Sequence, residues 1–274
     1  MGCRLTRTTL RACLPGMLIA AACSADVPAS ERTETASARA AHVLSWTGPD
    51  GDLHEAVLAG VLGPHPEFHR SEAAAAQDAL EARLAEADGR IGLDPAGGGD
   101  EDRYGRRITM ARTGGPGGAL LQEMLVEEGW LMVWPRAGQT LDFSSMLELE
   151  AHARAGRRGA WRSGAFAVRD PDPDRLAQHL DSAQIVEGRV IATGEGRGGR
   201  VYLNFGLDWR TDFTVSASRA VRREFEAAGV VLESLDGAVI RVRGWLYEEN
   251  GPMISLSHPA QLEILDAPEP RRLR

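Results

Sequence analysis

The chain has 274 residues, 43% of them hydrophobic and 26% charged, a balance that supports a packed core and excludes wholesale disorder. At roughly 150 residues per domain the length fits one or two domains. The 31 cationic residues, all arginine, face 39 acidic ones for a net charge of −8. That excludes a protein that grips nucleic acid by bulk positive charge, though a local basic patch stays compatible with it.

The three cysteines are Cys3, Cys13 and Cys23. Arg4, Arg7 and Arg11 lead into an apolar stretch, Leu14 to Ala22, and small residues A-A-A precede Cys23. This is the pattern of a secretory signal over 1–22. The stretch is well short of the roughly 20 residues that span a membrane. The A-A-A-C sequence resembles a bacterial lipoprotein lipobox, with Ala20 where the usual leucine stands, and implies lipidation at Cys23. An ordinary cut after Ala25 and an over-extended start codon remain open as alternatives. In every case the body of the protein lacks cysteine, and with it internal disulfides and thiolate zinc sites. Residues 23–40, rich in Ala, Ser, Thr and Glu, read as a flexible tether. The expected location is the cell envelope or periplasm, with a membrane reached through the lipid. Ser24 after the cysteine favours the outer membrane.

From Ala41 the pattern turns strand-like. His42 to Trp46 and Leu53 to Leu62 flank a D-G hairpin signal at Asp50–Gly51. Ser71 is placed to cap a helix with Leu80 and Leu84 on one face and Gly89 as its stop. Arg90 to Leu93 and Arg106 to Ala111 read as strands around a glycine-rich acidic loop. Leu120, Leu121, Met124 and Leu125 give a helix closed by Gly129, and 143–155 a further helix. Residues 163–182, with D-P-D-P, read as a linker. Beyond it, Gln184 to Ala192, Arg200 to Phe205, Asp212 to Ser216, Val239 to Leu246 and Ile254 to Leu265 read as five strands. A helix at 218–228, with Val221, Phe225 and Ala228 inward, follows the third. Five strands with one helix after the third is the element order of an OB-fold. The domain expectation is therefore 41–162, then 183–266, then a tail at 267–274.

D-R-Y-G-R at Asp102 to Arg106, the L-L-x-x-M-L-V-x-x-G-W that follows, and E-A-H-A-R-A-G-R-R-G-A-W at Glu150 to Trp161 carry a family likeness. Together with L-A-G-V-L-G-P at Leu58 to Pro64, they resemble the staphylococcal nuclease-like (thermonuclease) family over roughly 41–162. The resemblance implies a mainly β fold with packed helices (α+β), a nuclease-like OB barrel, followed here by a second OB-like barrel. It implies phosphodiester cleavage in DNA and RNA with calcium held by carboxylates, a glutamate acting on water, and two arginines clamping the phosphate. Arg106 falls on one clamp and Tyr104 on the tyrosine beside the nucleotide. The second clamp position reads Val57, the metal aspartate Leu62 and the catalytic glutamate His65. P-D-G-D at Pro49 to Asp52 reads as a hairpin turn, not as the family's metal motif.

The expectation is thus an exported, lipid-anchored, nuclease-like pseudoenzyme that serves as a binding or scaffold module, with an envelope protein as partner, no metal and no cofactor. The rival is an active calcium-dependent nuclease whose carboxylates have shifted to Asp50, Asp52, Glu55 or Glu67. His65 and His69, with Glu67 between and His54 nearby, suggest a zinc site, but Pro66 opposes a helix across the pair. Gly194 to Arg200 reads as a hairpin turn and not a phosphate cradle, because no helix follows it. In the C-terminal block, alternation puts Val201, Leu203, Phe205, Phe213 and Val215 inward. Tyr202, with Arg200 and Arg210 as cations, is left as the one stacking ring of a nucleic-acid face. Asn204, Asp212 and Thr214 are expected on the solvated side.

Overall fold

The computed structural model describes residues 33–115 and 117–267. The expected signal segment, Cys3, Cys13, the expected lipidation position Cys23, the expected tether up to residue 32 and most of the expected tail lie outside these residues. The fold is mixed α+β, mainly sheet with several helices.

β1 (Thr33–Thr35) and β2 (Ser37–Ala40) come first, then β3 (Val43–Thr47), β4 (Leu53–Leu58) and β5 (Val61–Leu62). Residues 33–35 and 37–40, expected within the tether, are therefore strand: β1 pairs with the edge near Ile91 and β2 with β3. Ala36 is buried between them, so a composition that looked flexible is ordered by the sheet it joins. The Asp50–Gly51 turn is a hairpin as expected, with Gly48 and Asp52 closing it.

α1 (Arg70–Ala85) follows, but His69, not Ser71, is its N-cap residue, and the Ser71 hydroxyl bonds Glu72. Leu80 and Leu84 are buried, and Gly89 adopts φ +72° while its N–H reaches Leu84 O. β6 (Arg90–Pro95), β7 (Arg107–Thr113), α2 (Leu121–Glu127), β8 (Met132–Val133) and α3 (Phe143–Ala155) complete the first half. The six-stranded sheet has the order β1-β6-β7-β4-β3-β2, with β4 and β7 parallel. β5 pairs separately with β8.

The segment 163–182, expected as a linker, is structured. α4 (Ala160–Ser163) enters it. β9 (Val168–Arg169) pairs with β10 (Ser182–Arg189), and α5 (Pro173–Leu176) is capped by Asp172 and buries Leu176 in the second core. Then come β11 (Ala192–Glu195), β12 (Val201–Asn204), β13 (Thr214–Ala217), α6 (Arg219–Ala227), β14 (Val239–Glu248), β15 (Pro252–Leu256) and β16 (Leu262–Asp266). The sheet runs β11-β12-β13-β15-β14-β10-β9, with β16 also on β14. The expected long last strand is two strands, β15 and β16, split by a short 3-10 turn at Pro259–Gln261. Phe225 of α6 is buried as expected, but Ala228 is exposed beyond the helix end.

Each sheet's hydrogen-bonded path has two ends, and neither closes into a barrel among the described residues. The expectation is met at the level of the mainly-β α+β class, whereas the pair of OB barrels is not met by a closed sheet among the described residues. Three apolar clusters hold the molecule together. One lies under the first sheet around Leu44, Leu58, Leu80 and Leu125, and one under the second around Phe213, Val215 and Ile240. The third, with Met132, Trp134, Trp161, Phe166 and Ile185, draws on both halves.

Candidate functional site

The sequence singles out the corner where D-R-Y-G-R meets the end of β4. Asp102 makes the turn there. Its Oδ1 accepts the N–H of Tyr104 at 2.9 Å and of Arg106 at 3.0 Å, and its Oδ2 accepts Arg106 Nε at 2.9 Å and Nη2 at 2.7 Å. Burial alone would raise this carboxyl. The guanidinium and the two backbone donors outweigh it and hold Asp102 below the usual carboxylate range. Tyr104 is 66% exposed, with Arg103 and Arg106 over its ring at 4.7 and 5.2 Å.

The neighbouring positions are apolar or neutral. Val57 is buried in the parallel pairing with Ile108. Leu62 pairs with Met132 and packs against the cluster of Met132, Trp134 and Trp161. His65 is exposed and its ring lies tilted against Phe68, with centroids 4.9 Å apart. Sequence reasoning did not single out His42, which belongs to this corner. Its Nδ1 accepts the N–H of Gly63 at 3.3 Å. Burial first, then the charges of Arg106 and Arg136, push its pKa down to about 4, so it is neutral at pH 7. A lone histidine before a strand carries no sequence signal of that.

The residues here do not fit calcium. An apolar Leu62 offers no oxygen, and Asp102 already accepts four hydrogen bonds. The alternative carboxylates are spread out. Asp50 lies 3.5 Å from His54 at the hairpin, Glu55 lies 3.6 Å from Arg39, and Glu67 sits in the exposed loop after Pro66. His54 is stacked on Trp46, with ring centroids 5.6 Å apart. Among the described residues no group of three or more His, Cys, Asp and Glu side chains is placed to hold a metal ion.

In the second half, Val201, Leu203, Phe205, Phe213 and Val215 are buried as alternation predicts, and within Gly194 to Arg200 the turn between β11 and β12 runs from Gly196 to Arg200, Gly194 and Glu195 being paired in β11. Thr214 differs from expectation. It is buried on the outer face, its hydroxyl 3.2 Å from Asn204 Oδ1. Tyr202 is half-buried beside it. Arg210 stacks over Trp209, a second ring that the strand arithmetic missed because it lies in the loop, not on a strand. Arg200 precedes β12 and meets Gly196 through its carbonyl.

The two halves meet through a buried ion network. Arg243 on β14 donates Nη1 to Val133 O at 2.9 Å and to Glu150 Oε2 at 2.8 Å, and Nη2 to Glu263 Oε1 at 2.7 Å. Glu150 Oε2 also accepts the N–H of Val133 at 2.7 Å. Arg241 extends the network to Glu187 and Glu263. His258 adds a lighter tie, 3.3 Å from Gln139 O with its ring edge-on to Phe143. No helix of the described residues is long and apolar enough to cross a membrane. No protein-family model matches the chain, and no curated protein sequence matches it.

Proposed function

We propose that the chain is an exported, lipid-anchored, staphylococcal nuclease-like protein whose nuclease domain has lost catalysis and serves as a binding or scaffold module. Two OB-type barrels are part of this reading. In each sheet the two chain pieces at or near the path ends are consecutive. β1 and β2 are separated by Ala36, β10 and β11 by Val190 and Ile191. That is the arrangement of a bent first strand serving both ends of a barrel.

The observation that carries the loss of catalysis is the replacement at Leu62. The position at which the family holds its cation is an apolar side chain packed into the cluster that joins the two halves. The remaining clamp, Arg106, spends its fork on Asp102. Removing a single transition-state donor costs roughly a hundred- to a thousandfold, and here a base, a clamp and a ligand are absent together. Cys23 as anchor and an envelope protein as partner rest on the sequence pattern alone.

The test is cleavage of single- and double-stranded DNA and RNA by the chain from residue 24, with calcium and with chelator, beside Arg106→Ala. No cleavage by either protein is expected. Calcium-dependent cleavage abolished in the variant would overturn the reading and favour the shifted-carboxylate nuclease.

A further inference from the structure

A cleft of about 280 Å³ opens on the outer face of the second sheet. Its floor is Asn204, Thr214 and Met253, brought side by side by the pairing of β12, β13 and β15. Its walls carry Tyr202 and Trp209, and its rim Glu195 and Glu249.

The walls are built. The loop before β13 is tied by Asp208 and Asp212. Asp212 Oδ2 accepts the N–H of Asp208 at 2.7 Å, and Asp208 Oδ1 that of Arg210 at 3.1 Å. A Cβ on Gly251 would come within 2.5 Å of Thr211 O, so the hairpin tip bearing Glu249 and Asn250 lies hard against this loop. A Cβ on Gly196 would meet Tyr202 Cε2 at 2.6 Å, so the tyrosine ring rests on bare backbone. Trp209 stays 51% exposed.

The chemistry of the lining is one-sided. The lining offers two aromatic rings and two carboxylates to a positive charge, and the cations that already touch them, Arg210 on Trp209 and Arg222 on Glu195, lie outside the lining. Glu195 shares Arg222 at 3.7 Å, whereas Glu249 has no ion-pair partner among the described residues. The Trp209 ring already accepts a guanidinium, that of Arg210, 4.3 Å from its centroid. The larger groove of about 580 Å³ on the first half differs, because both its carboxylates are paired with its own arginines, Glu128 with Arg83 and Glu127 with Arg158, and Arg162 adds a further cation. A phosphate backbone would meet the two carboxylates of the cleft and be repelled.

We propose that this cleft receives a single cationic side chain, a guanidinium or ammonium, presented by a basic peptide segment of a partner protein. The π faces hold the charge, Glu249 and Glu195 neutralise it, and Asn204 and Thr214 offer hydrogen bonds at the floor.

The test follows the indole N–H signal of Trp209, assigned with Trp209→Phe, in the full chain from residue 24. The probes are acetyl-arginine amide, its neutral isostere acetyl-citrulline amide, chitotetraose and a dT hexamer. The expected result is a saturable millimolar shift with the arginine probe and at least tenfold weaker binding of citrulline. Glu249→Gln should weaken the arginine probe at least fivefold, whereas Glu148→Gln, an exposed acid on α3, should leave it unchanged. Equal response to arginine and citrulline, response to the sugar or the oligonucleotide instead, equal effects of the two substitutions, or no shift with any probe would each overturn the proposal.

Discussion

Two arginine–carboxylate pairs in this molecule share their chemistry and differ in their surroundings. Arg106 and Asp102 sit in one turn, four residues apart, with side chains 27% and 8% exposed. Arg243 and Glu150 come from opposite halves, 93 residues apart, and are both 1% exposed. The first pair closes a local turn at a surface corner, where water can replace either partner. The second holds two folded halves together, and its groups have no water to return to. Contact distance is nearly the same, 2.7 and 2.8 Å, so burial and not geometry sets what each pair does.

The largest effect should come from breaking the buried pair alone. Arg243→Ala removes the guanidinium that bonds both Glu150 and Glu263, leaving as cations, among the described residues, only Arg154 at 3.7 Å for Glu150 and Arg241 at 3.2 Å for Glu263, and should cost about 3 kcal/mol in chemical denaturation. The double variant Arg243→Met with Glu150→Gln should recover part of that, since it removes both charges. A double variant as unstable as Arg243→Ala would mean that the loss is one of packing and not of an orphaned charge.

Acid should act next, through the surface corner. Folded His42 resists protonation until about pH 4, whereas in the unfolded chain it protonates near 6.5. The unfolded state therefore binds the extra proton between these values. Stability is complete above about pH 6.5, falls as the pH drops toward 4, and loses on the order of 2–3 kcal/mol there from this residue. His258, also held below its ordinary value by burial, pulls the same way at the junction. Melting curves across this window should be flatter for His42→Gln. An unchanged pH profile in that variant would show that His42 is not held neutral by its burial and the two arginines.

Asp102→Ala should cost less, about 1–2 kcal/mol, because it removes hydrogen bonds to a charged group at a partly wet turn. It also frees Arg106, which should be visible as faster exchange of its Nε–H. Arg106→Ala should be the mildest, below about 1 kcal/mol, because the Asp102 turn keeps its two backbone donors. A loss as large as that of Arg243→Ala would dissolve the contrast between the two pairs.

Several elements were readable from the chain because their cause is local. Residues 143–155 form a helix over the expected span, with Asp142 capping it, and Asp50–Gly51 turns a hairpin. The inward face of β12 follows from alternation. The same arithmetic puts Arg243 opposite Ile240 and Val242, on what would be a solvent face, yet it is fully buried. Nothing in the spacing of β14 says that Val133 and Glu150 cover it. Likewise β1 and β2 carry the composition of a linker and are strands because β6 and β3 offer unpaired edges.

By itself the sequence determined the α+β class, the order of most elements, and the identity of the residues standing at Val57, Leu62 and His65, since each depends on local pattern or residue type. The tertiary structure decided the rest: that Arg106 is bound to Asp102, that His42 is kept neutral beside two arginines, that Tyr202 and Trp209 face one cleft, and that Arg243 and Glu150 join the halves. These depend on solvent being excluded by segments distant in the chain, and burial by a distant partner leaves no periodic trace in the residues it covers.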